Sequence, residues 1–246
     1  MNVSQSWEVA ARQDPGGAEG RTYSGIPLEA RREQRRRRLL DAGLEEIGTR
    51  GYDQVTVKDV CRRAGLTERY FYEQFSDRHG LLVAVYDDVV GFVLSVTLAA
   101  AESSPEELVS RARAGLAAFV GALADDPRRA RVQLIESVGR GVELERRRSE
   151  VMRAFADYVQ QSAELLRPRP DISPLRRAAL ASALVGATNH LVVDWVLGDL
   201  EMSREELVET LVTLHLAVAD APALDAGASG RGHAPERSER TRRGRR

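Results

Sequence analysis

Apolar residues recur every three to four positions along most of the chain, which is the period of a helix rather than of a strand. The first helical pattern begins near Leu28 and ends before Gly51, a residue suited to a helix C-terminus. Ser104 is expected to cap a later helix with Pro105 in its first turn, and further patterns continue to about Ala219. The sequence therefore predicts an all-α fold with about nine helices.

Residues 56–78 carry the most informative pattern, which is two short helices separated by a turn. Thr56 and Asp59 form a capping-box pattern at the start of the first helix. Gly65 permits the backbone that ends this helix, and Thr67 is placed to cap the second. A helix, a short turn with Gly and another helix are typical of the helix-turn-helix that places a recognition helix in the DNA major groove.

The second helix of this motif is predicted to separate apolar from exposed side chains. Leu66, Phe71 and Phe75 are expected to pack inward. The side chains left to face outward are Glu68, Arg69, Tyr70, Tyr72, Glu73 and Gln74. We hypothesise that Arg69 donates to guanine and that Glu68 or Glu73 accepts from cytosine. Simple solvation of the two glutamates is the alternative.

A resemblance to a known family depends on residues 56–67 (TVKDVCRRAGLT) and on five later positions: Phe71, Tyr72, Phe75, Arg78 and Leu81. These residues resemble the DNA-binding domain of the TetR family of bacterial repressors over about residues 35–86. The C-terminal half is similar to the family only in pattern, most clearly at residues 183–190 and Trp195.

The resemblance implies roles for individual DNA-binding residues. Thr67 matches the recognition-helix cap that meets phosphate, and Tyr72 matches a phosphate-binding tyrosine. Arg78 lies where a lysine is usual and is expected to anchor a phosphate, while Lys58 matches a basic position that reaches a base or phosphate. The positions that face base edges in the family are here Glu68, Arg69, Tyr70, Glu73 and Gln74.

Charge is distributed unevenly although the net charge of the chain is −1. Residues 21–80 contain 13 basic and 10 acidic side chains, and residues 231–246 contain seven Arg and two Glu. A mildly basic N-terminal part (residues 21–80) before an acidic body (residues 81–230) is typical of a protein that contacts nucleic acid at one end. The Arg35–Arg38 run is either a DNA-contacting segment or a solvated charged face.

The resemblance also implies a second, C-terminal module that dimerises and binds a small molecule. In the family the last two long helices pair with those of a partner subunit. Candidate interface residues, for which ordinary intrachain core is the alternative, are Leu184, Val185, Thr188, Val192, Trp195, Leu207, Leu211, Leu214 and Val218. Candidate ligand-binding residues are Phe92, Phe119, Phe155, Tyr158, Asn189 and His190. The acidic body favours a neutral or cationic ligand.

Enzymatic chemistry is not expected. The four His residues have no metal-ligand spacing, Cys61 is the single Cys, and the chain lacks a Gly-rich phosphate loop and a nucleophile elbow. Neither a metal nor a cofactor is therefore predicted.

No apolar run approaches the ~20 residues of a membrane span, and the N-terminus lacks the features of a signal peptide, so a cytoplasmic protein without a membrane partner is expected.

The chain is expected to divide into four parts. They are a disordered extension (1–27), a three-helix helix-turn-helix DNA-binding domain (28–78), a helical ligand-binding and dimerisation domain (79–221) and a disordered basic tail (222–246). The predicted function is a repressor that binds a palindromic operator as a homodimer and is released by a small molecule. The alternative is a helical ligand-binding or interaction protein without a specific operator.

Overall fold

The computed structural model describes residues 28–221, and the terminal parts predicted to be disordered lie outside this range. The described chain contains nine α-helices and no strand. Their bounds are α1 Leu28–Arg50, α2 Val57–Ala64, α3 Glu68–Tyr72, α4 Arg78–Glu102, α5 Leu108–Ala124, α6 Pro127–Ala130, α7 Val142–Leu166, α8 Pro174–Leu197 and α9 Arg204–Asp220. A 3₁₀ turn spans Tyr52–Gln54 and a π-helical turn spans Arg131–Glu136. The predicted all-α class is confirmed.

Most of the helix starts follow from local hydrogen-bond chemistry that the sequence shows. Ser203 and Glu206 form a full capping box at α9, and the Ser173 side chain accepts a hydrogen bond from the backbone N–H of Arg176 at α8. The start of α5 differs from the prediction, because this helix begins at Leu108 rather than at the Ser-Pro pair four residues earlier.

The core is continuous between the N-terminal helices and the body. The buried stripe of α1, including Leu39 and Ile47, packs with Leu81 and Leu82 of α4, and the same apolar cluster extends to Leu211 of α9. Close approach of α1 and α4 requires a small residue, since a Cβ at position 43 would lie 2.8 Å from Val85 Cγ2. Helix α4 therefore connects the two parts of the molecule rigidly.

The helix predicted from Asp126 to about Val138 is interrupted. Asp126 caps it and Pro127 begins it as expected, but after Ala130 the backbone widens into the π-helical turn. Such turns are rare and occur frequently at functional sites. This one packs against both α1 and α4.

Two of the described helices, α4 and α8, are long and apolar enough to cross a membrane by length and composition alone. This corrects the expectation that no segment approaches such a span. Half of the most apolar window of α4 is buried inside the protein, so the core explains its composition. Only 22% of the corresponding window of α8 is buried, so this helix presents apolar surface to the outside of the single chain.

Candidate DNA-binding surface and ligand cavity

The turn between α2 and α3 has the geometry that the sequence predicts. Thr56 and Asp59 form the capping box at the start of α2, and hydrogen bonds from Thr56 hold the pKa of the Asp59 carboxyl well below its usual range. Gly65 ends α2 with φ 62° in the left-handed region, where Gly carries no steric penalty. Buried Phe71 then fixes α3, which is only five residues long, against the core.

Most of the predicted DNA-reading residues are exposed to solvent. Lys58, Thr67, Arg69, Tyr70, Tyr72 and Glu73 are exposed, and Glu68, Gln74 and Arg78 are partly exposed. Thr67 occupies the cap position of α3 but makes no capping hydrogen bond, unlike Thr56. Tyr72 is 56% exposed although its ring packs edge-on against Phe71 at 5.4 Å between centroids. The surface thus presents hydroxyl, cationic and carboxylate groups from a rigid support.

Arg69 and Glu73 interact with each other on this surface. Arg69 Nε lies 3.3 Å from Glu73 Oε1, one helical turn away, and the Arg69 side chain is 86% exposed. An exposed pair of this kind is worth little in solution, so either group is free to exchange its partner for a base edge. The predicted readout by Arg69 and Glu73 is compatible with this geometry and is untested by it.

Arg78 has an internal role that the sequence did not predict. Its Nη1 donates hydrogen bonds to the backbone oxygens of Tyr52 at 2.9 Å and Val55 at 2.6 Å. Its guanidinium also stacks 4.1 Å from the centre of the Tyr52 ring. Arg78 therefore fixes the turn that leads into α2, and this contact differs from the expected phosphate anchor.

The Arg35–Arg38 run packs against the helix-turn-helix instead of standing free as a charged face. Arg35 lies over the Tyr70 ring at 4.8 Å and Arg36 over the Phe75 ring at 5.0 Å. Arg37 donates to Asp88 at 2.5 Å, which ties α1 to α4. Cation–π contacts thus join α1 to Tyr70 of α3 and to Phe75 just after it, and the ion pair joins α1 to α4.

A cavity of about 210 Å³ lies between α5, α7, α8 and α9. Four of the six predicted ligand-binding residues line it, namely Phe119, Phe155, Tyr158 and Asn189. The other two do not line this cavity. Phe92 is 40% exposed and packs under Arg129, and His190 lies on the outward side of α8 with 75% of its side chain exposed.

Polar residues of the cavity wall were missed by the sequence analysis. Arg111, Gln133 and His215 line it, and so does Thr188, which was predicted at the dimer interface. Burial lowers the pKa of His215, and its Nδ1 donates to the Leu211 carbonyl at 2.8 Å, so Nε2 is the unprotonated acceptor. In the sequence, such residues are visible only as a single polar side chain on an otherwise apolar helix face. The same pattern is also found where the polar side chain is an ordinary core residue.

The predicted dimer-interface residues mostly belong to the interior of one chain. Val192, Leu207 and Leu211 have no exposed surface. Leu184, Val185, Thr188 and Val218 line the cavity. Trp195 is partly buried and donates from Nε1 to the Met202 carbonyl at 2.9 Å, and Leu214 is partly exposed. The fully buried side chains have no surface left for a second chain, which favours the intrachain core that the sequence offered as the alternative.

Helix α8 presents a different face outward. Its exposed residues include Leu175, Ala179, Ser182, Ala183, His190 and Leu197, and Gly186 is partly exposed. Leu175 is 82% exposed and Leu197 54%. A Cβ at Gly186 would meet nothing within 4 Å, so the backbone itself is accessible there.

Comparisons with known proteins agree with the helix-turn-helix. A family model described as bacterial regulatory proteins, tetR family, matches residues 39–85. The HTH-type transcriptional regulator BetI of Escherichia coli O127:H6 is 33% identical over 92 residues, which are 37% of this chain and 46% of BetI. The match thus spans slightly less than half the length of the curated relatives.

Solved structures share the fold over most of the chain. The fatty acid degradation regulator FadR from Bacillus halodurans has a TM-score of 0.64 and 17% identity, with 76% of this chain and 95% of that chain covered. FadR from Bacillus subtilis in complex with stearoyl-CoA has a TM-score of 0.64 and 18% identity, with 74% and 98% covered. Residues 39–85 thus match the tetR-family helix-turn-helix, and the solved structures share the fold of about three quarters of the chain.

Proposed function

We propose that this protein is a cytoplasmic, dimeric transcriptional repressor that binds a palindromic operator and leaves it when a small molecule enters the cavity. The observation that carries the proposal is the exposed face of α2 and α3. Lys58, Thr67 and Tyr72 offer donors to phosphates, and Arg69 stands at the position from which base edges are read. A solvated surface helix rarely exposes tyrosine hydroxyls and a long cation from such a rigid support.

A dimer is required by this mechanism because a five-residue recognition helix covers too little sequence. Two such helices about 34–36 Å apart would read the half-sites of a palindrome. The outward apolar and small residues of α8 support this assembly, since they include Leu175 and Leu197 and leave Gly186 open to a close helix–helix approach.

The route from cavity to DNA-binding surface is short. Gln133 lines the cavity from within the π-helical turn. Glu136, at the end of the same turn, accepts a hydrogen bond from the Tyr52 backbone N–H at 2.9 Å, and Arg131 donates to the Thr49 carbonyl at 2.8 Å. A ligand that favours another shape of this turn would therefore shift the segment entering α2.

The test is an electrophoretic mobility shift of the full chain on the DNA upstream of its own gene, at about 50 and 200 mM salt. We expect a discrete complex on one palindrome, and for Arg69→Ala a loss of about 1–3 kcal/mol together with relaxed sequence preference. Tyr72→Phe should weaken binding on all sequences alike.

Arg146→Ala is the matched control, because Arg146 is an exposed arginine of α7 that pairs with Glu150. Its DNA affinity should equal that of the wild type. Weak binding of equal strength to all fragments would instead support a helical ligand-binding protein without a specific operator.

A further inference from the structure

The cavity contains buried polar atoms that the protein itself does not satisfy. Within residues 28–221, six buried side-chain nitrogen or oxygen atoms have no hydrogen-bond partner. Three of them line the cavity: Arg111 Nε, Gln133 Oε1 and Thr188 Oγ1. Gln133 and Thr188 are only 7% and 8% exposed. Orphan polar groups are rare in folded proteins, so three around one cavity indicate a polar occupant.

Four arginines and one glutamate line the same cavity. Three of the arginines are neutralised within the protein: Arg167 by Asp220 at 2.5 Å, Arg169 by Asp171 at 2.7 Å and Arg177 by Glu164 at 2.9 Å. With these partners counted, the three arginines add no net charge to the wall, so its attraction for an anion depends on Arg111.

Arg111 differs from the other three arginines. Its nearest carboxylate, on Glu106, lies 3.7 Å away and is 88% exposed, whereas the Arg111 side chain is only 17% exposed. A guanidinium so far out of water and so weakly paired favours an anion. The Tyr158 hydroxyl bonds to Ser162 and lies near enough to interact electrostatically with both Glu102 and Arg111.

The two polar ends of the cavity are separated by an apolar middle. Phe119 and Phe155 face each other there with ring centres 6.2 Å apart. Tyr158 marks the Arg111 end, and Arg148 marks the other end, because it donates to the Gln133 backbone oxygen at 3.4 Å. Arg148 and Tyr158 are ten residues apart on α7, which corresponds to a distance of about 15 Å along the helix.

We propose that the cavity binds an elongated apolar carboxylate whose anionic group is held by Arg111 and whose far end donates a hydrogen bond to Gln133. The proposal rests on the proposed ligand-responsive function and names the chemical class of its ligand. The Arg111 guanidinium pairs with one carboxylate, and Gln133 Oε1 accepts a hydroxyl or N–H proton. The cavity, about 210 Å³, exceeds the ~150 Å³ that holds benzene, so a chain or ring system fits the middle.

The experiment is calorimetric titration of the full chain with four probes of one chain length: decanoate, decanol, decylammonium and 10-hydroxydecanoate. We expect decanoate to bind at least tenfold more tightly than decanol, and decylammonium to bind least. The added hydroxyl of 10-hydroxydecanoate should tighten binding severalfold over decanoate. This series needs no variant, so a folding defect does not affect it.

Two variants test which side chain binds the carboxylate of the ligand and which binds its hydroxyl. Arg111→Met should bring decanoate and decanol within twofold of each other, and Gln133→Leu should remove only the advantage of the hydroxyl. Arg113→Met is the matched control on the same helix, since Arg113 pairs with Glu209 outside the cavity wall. A tenfold preference for decanoate that persists in Arg111→Met would overturn the proposal, and so would preferential binding of decanol or decylammonium.

Operator binding by the same preparations separates the two proposals. If the chain shifts its operator but no carboxylate binds, the ligand class is wrong and the regulator stands. If decanoate binds through Arg111 and no operator is found, the ligand class stands and the repressor function is wrong.

Discussion

The carboxylate of Glu136 accepts a hydrogen bond of 2.9 Å from the backbone N–H of Tyr52, across 84 residues of sequence. Both residues are buried. The other oxygen of Glu136 pairs with Arg131 Nε at 3.0 Å, and Arg140 binds Asp53 with both of its terminal nitrogens at 2.7 and 2.8 Å. The turn before the helix-turn-helix is therefore held by charged groups of the body.

Removing the Glu136 carboxylate should loosen this junction. In Glu136→Ala, the Tyr52 N–H loses its partner and Arg131 loses one of two, so the free energy of unfolding should fall by about 1–3 kcal/mol, which is typical of an unsatisfied buried N–H. Chemical denaturation measures the loss, and faster amide exchange at Tyr52 locates it. Glu150→Ala removes an exposed partner and should change stability by less than about 1 kcal/mol. Equal losses in the two variants would contradict the proposed junction.

Asp87 should make stability depend on pH between about 4 and 6. Burial raises the pKa of Asp87 to about 6 despite its ion pair with Arg147 at 2.7 Å. The folded state therefore favours the protonated carboxyl, and this contribution is present below the unfolded pKa and is lost as pH rises through about 6. The Tm of Asp87→Asn, which cannot ionise, should rise relative to wild type from pH 4 to pH 7.

Asp53→Asn is the control of opposite sign. The pKa of the Asp53 carboxyl is lowered by its hydrogen bonds from Arg140, so its contribution is present at neutral pH and is lost as pH falls through the lowered pKa. This variant should be less stable than wild type at pH 7 and should approach it in acid. Parallel pH curves for the two variants would contradict both assignments.

Two glycines should respond in opposite directions to the same substitution. A Cβ at Gly48 would lie 2.5 Å from Arg128 Cβ and 2.9 Å from its Cα, so Gly48→Ala must push α6 away from α1 and cost about 1–3 kcal/mol. A Cβ at Gly80 would come no closer than 3.4 Å to Ser76, so Gly80→Ala should stabilise α4 by up to about 1 kcal/mol. Thermal unfolding of both variants checks the signs.

Gly186→Arg should separate the subunits of the proposed dimer without unfolding them. The position has open space around it in the single chain, so the substitution leaves the intrachain core intact. A bulky charge on the outward face of α8 should weaken dimerisation at least tenfold, as measured by sedimentation at micromolar concentration. Ser149→Arg, on an exposed position of α7, is the control. A dimer unchanged by Gly186→Arg would place the interface elsewhere.

The sequence by itself determined the features that depend on neighbouring residues. The capping box of Thr56 and Asp59, the left-handed Gly65 and the inward Phe71 each depend on atoms within a few positions of one another. The same holds for the caps at Ser173 and Ser203. Local hydrogen bonds and backbone preferences decide such features, so the helix-turn-helix and the all-α class were predictable.

Only the tertiary structure decided which side of a uniformly apolar helix faces outward and which polar group lies beside which. In α8, Ala, Leu and Val occupy all sides, so helical periodicity could not separate buried Val192 from exposed Leu197. Contacts such as Arg78 with the Val55 carbonyl, or Arg111 at the cavity, join elements that are distant in sequence or depend on how the helices rotate. Long-range packing and the burial of charge determine these contacts. The pattern of residues within one helix does not reveal them.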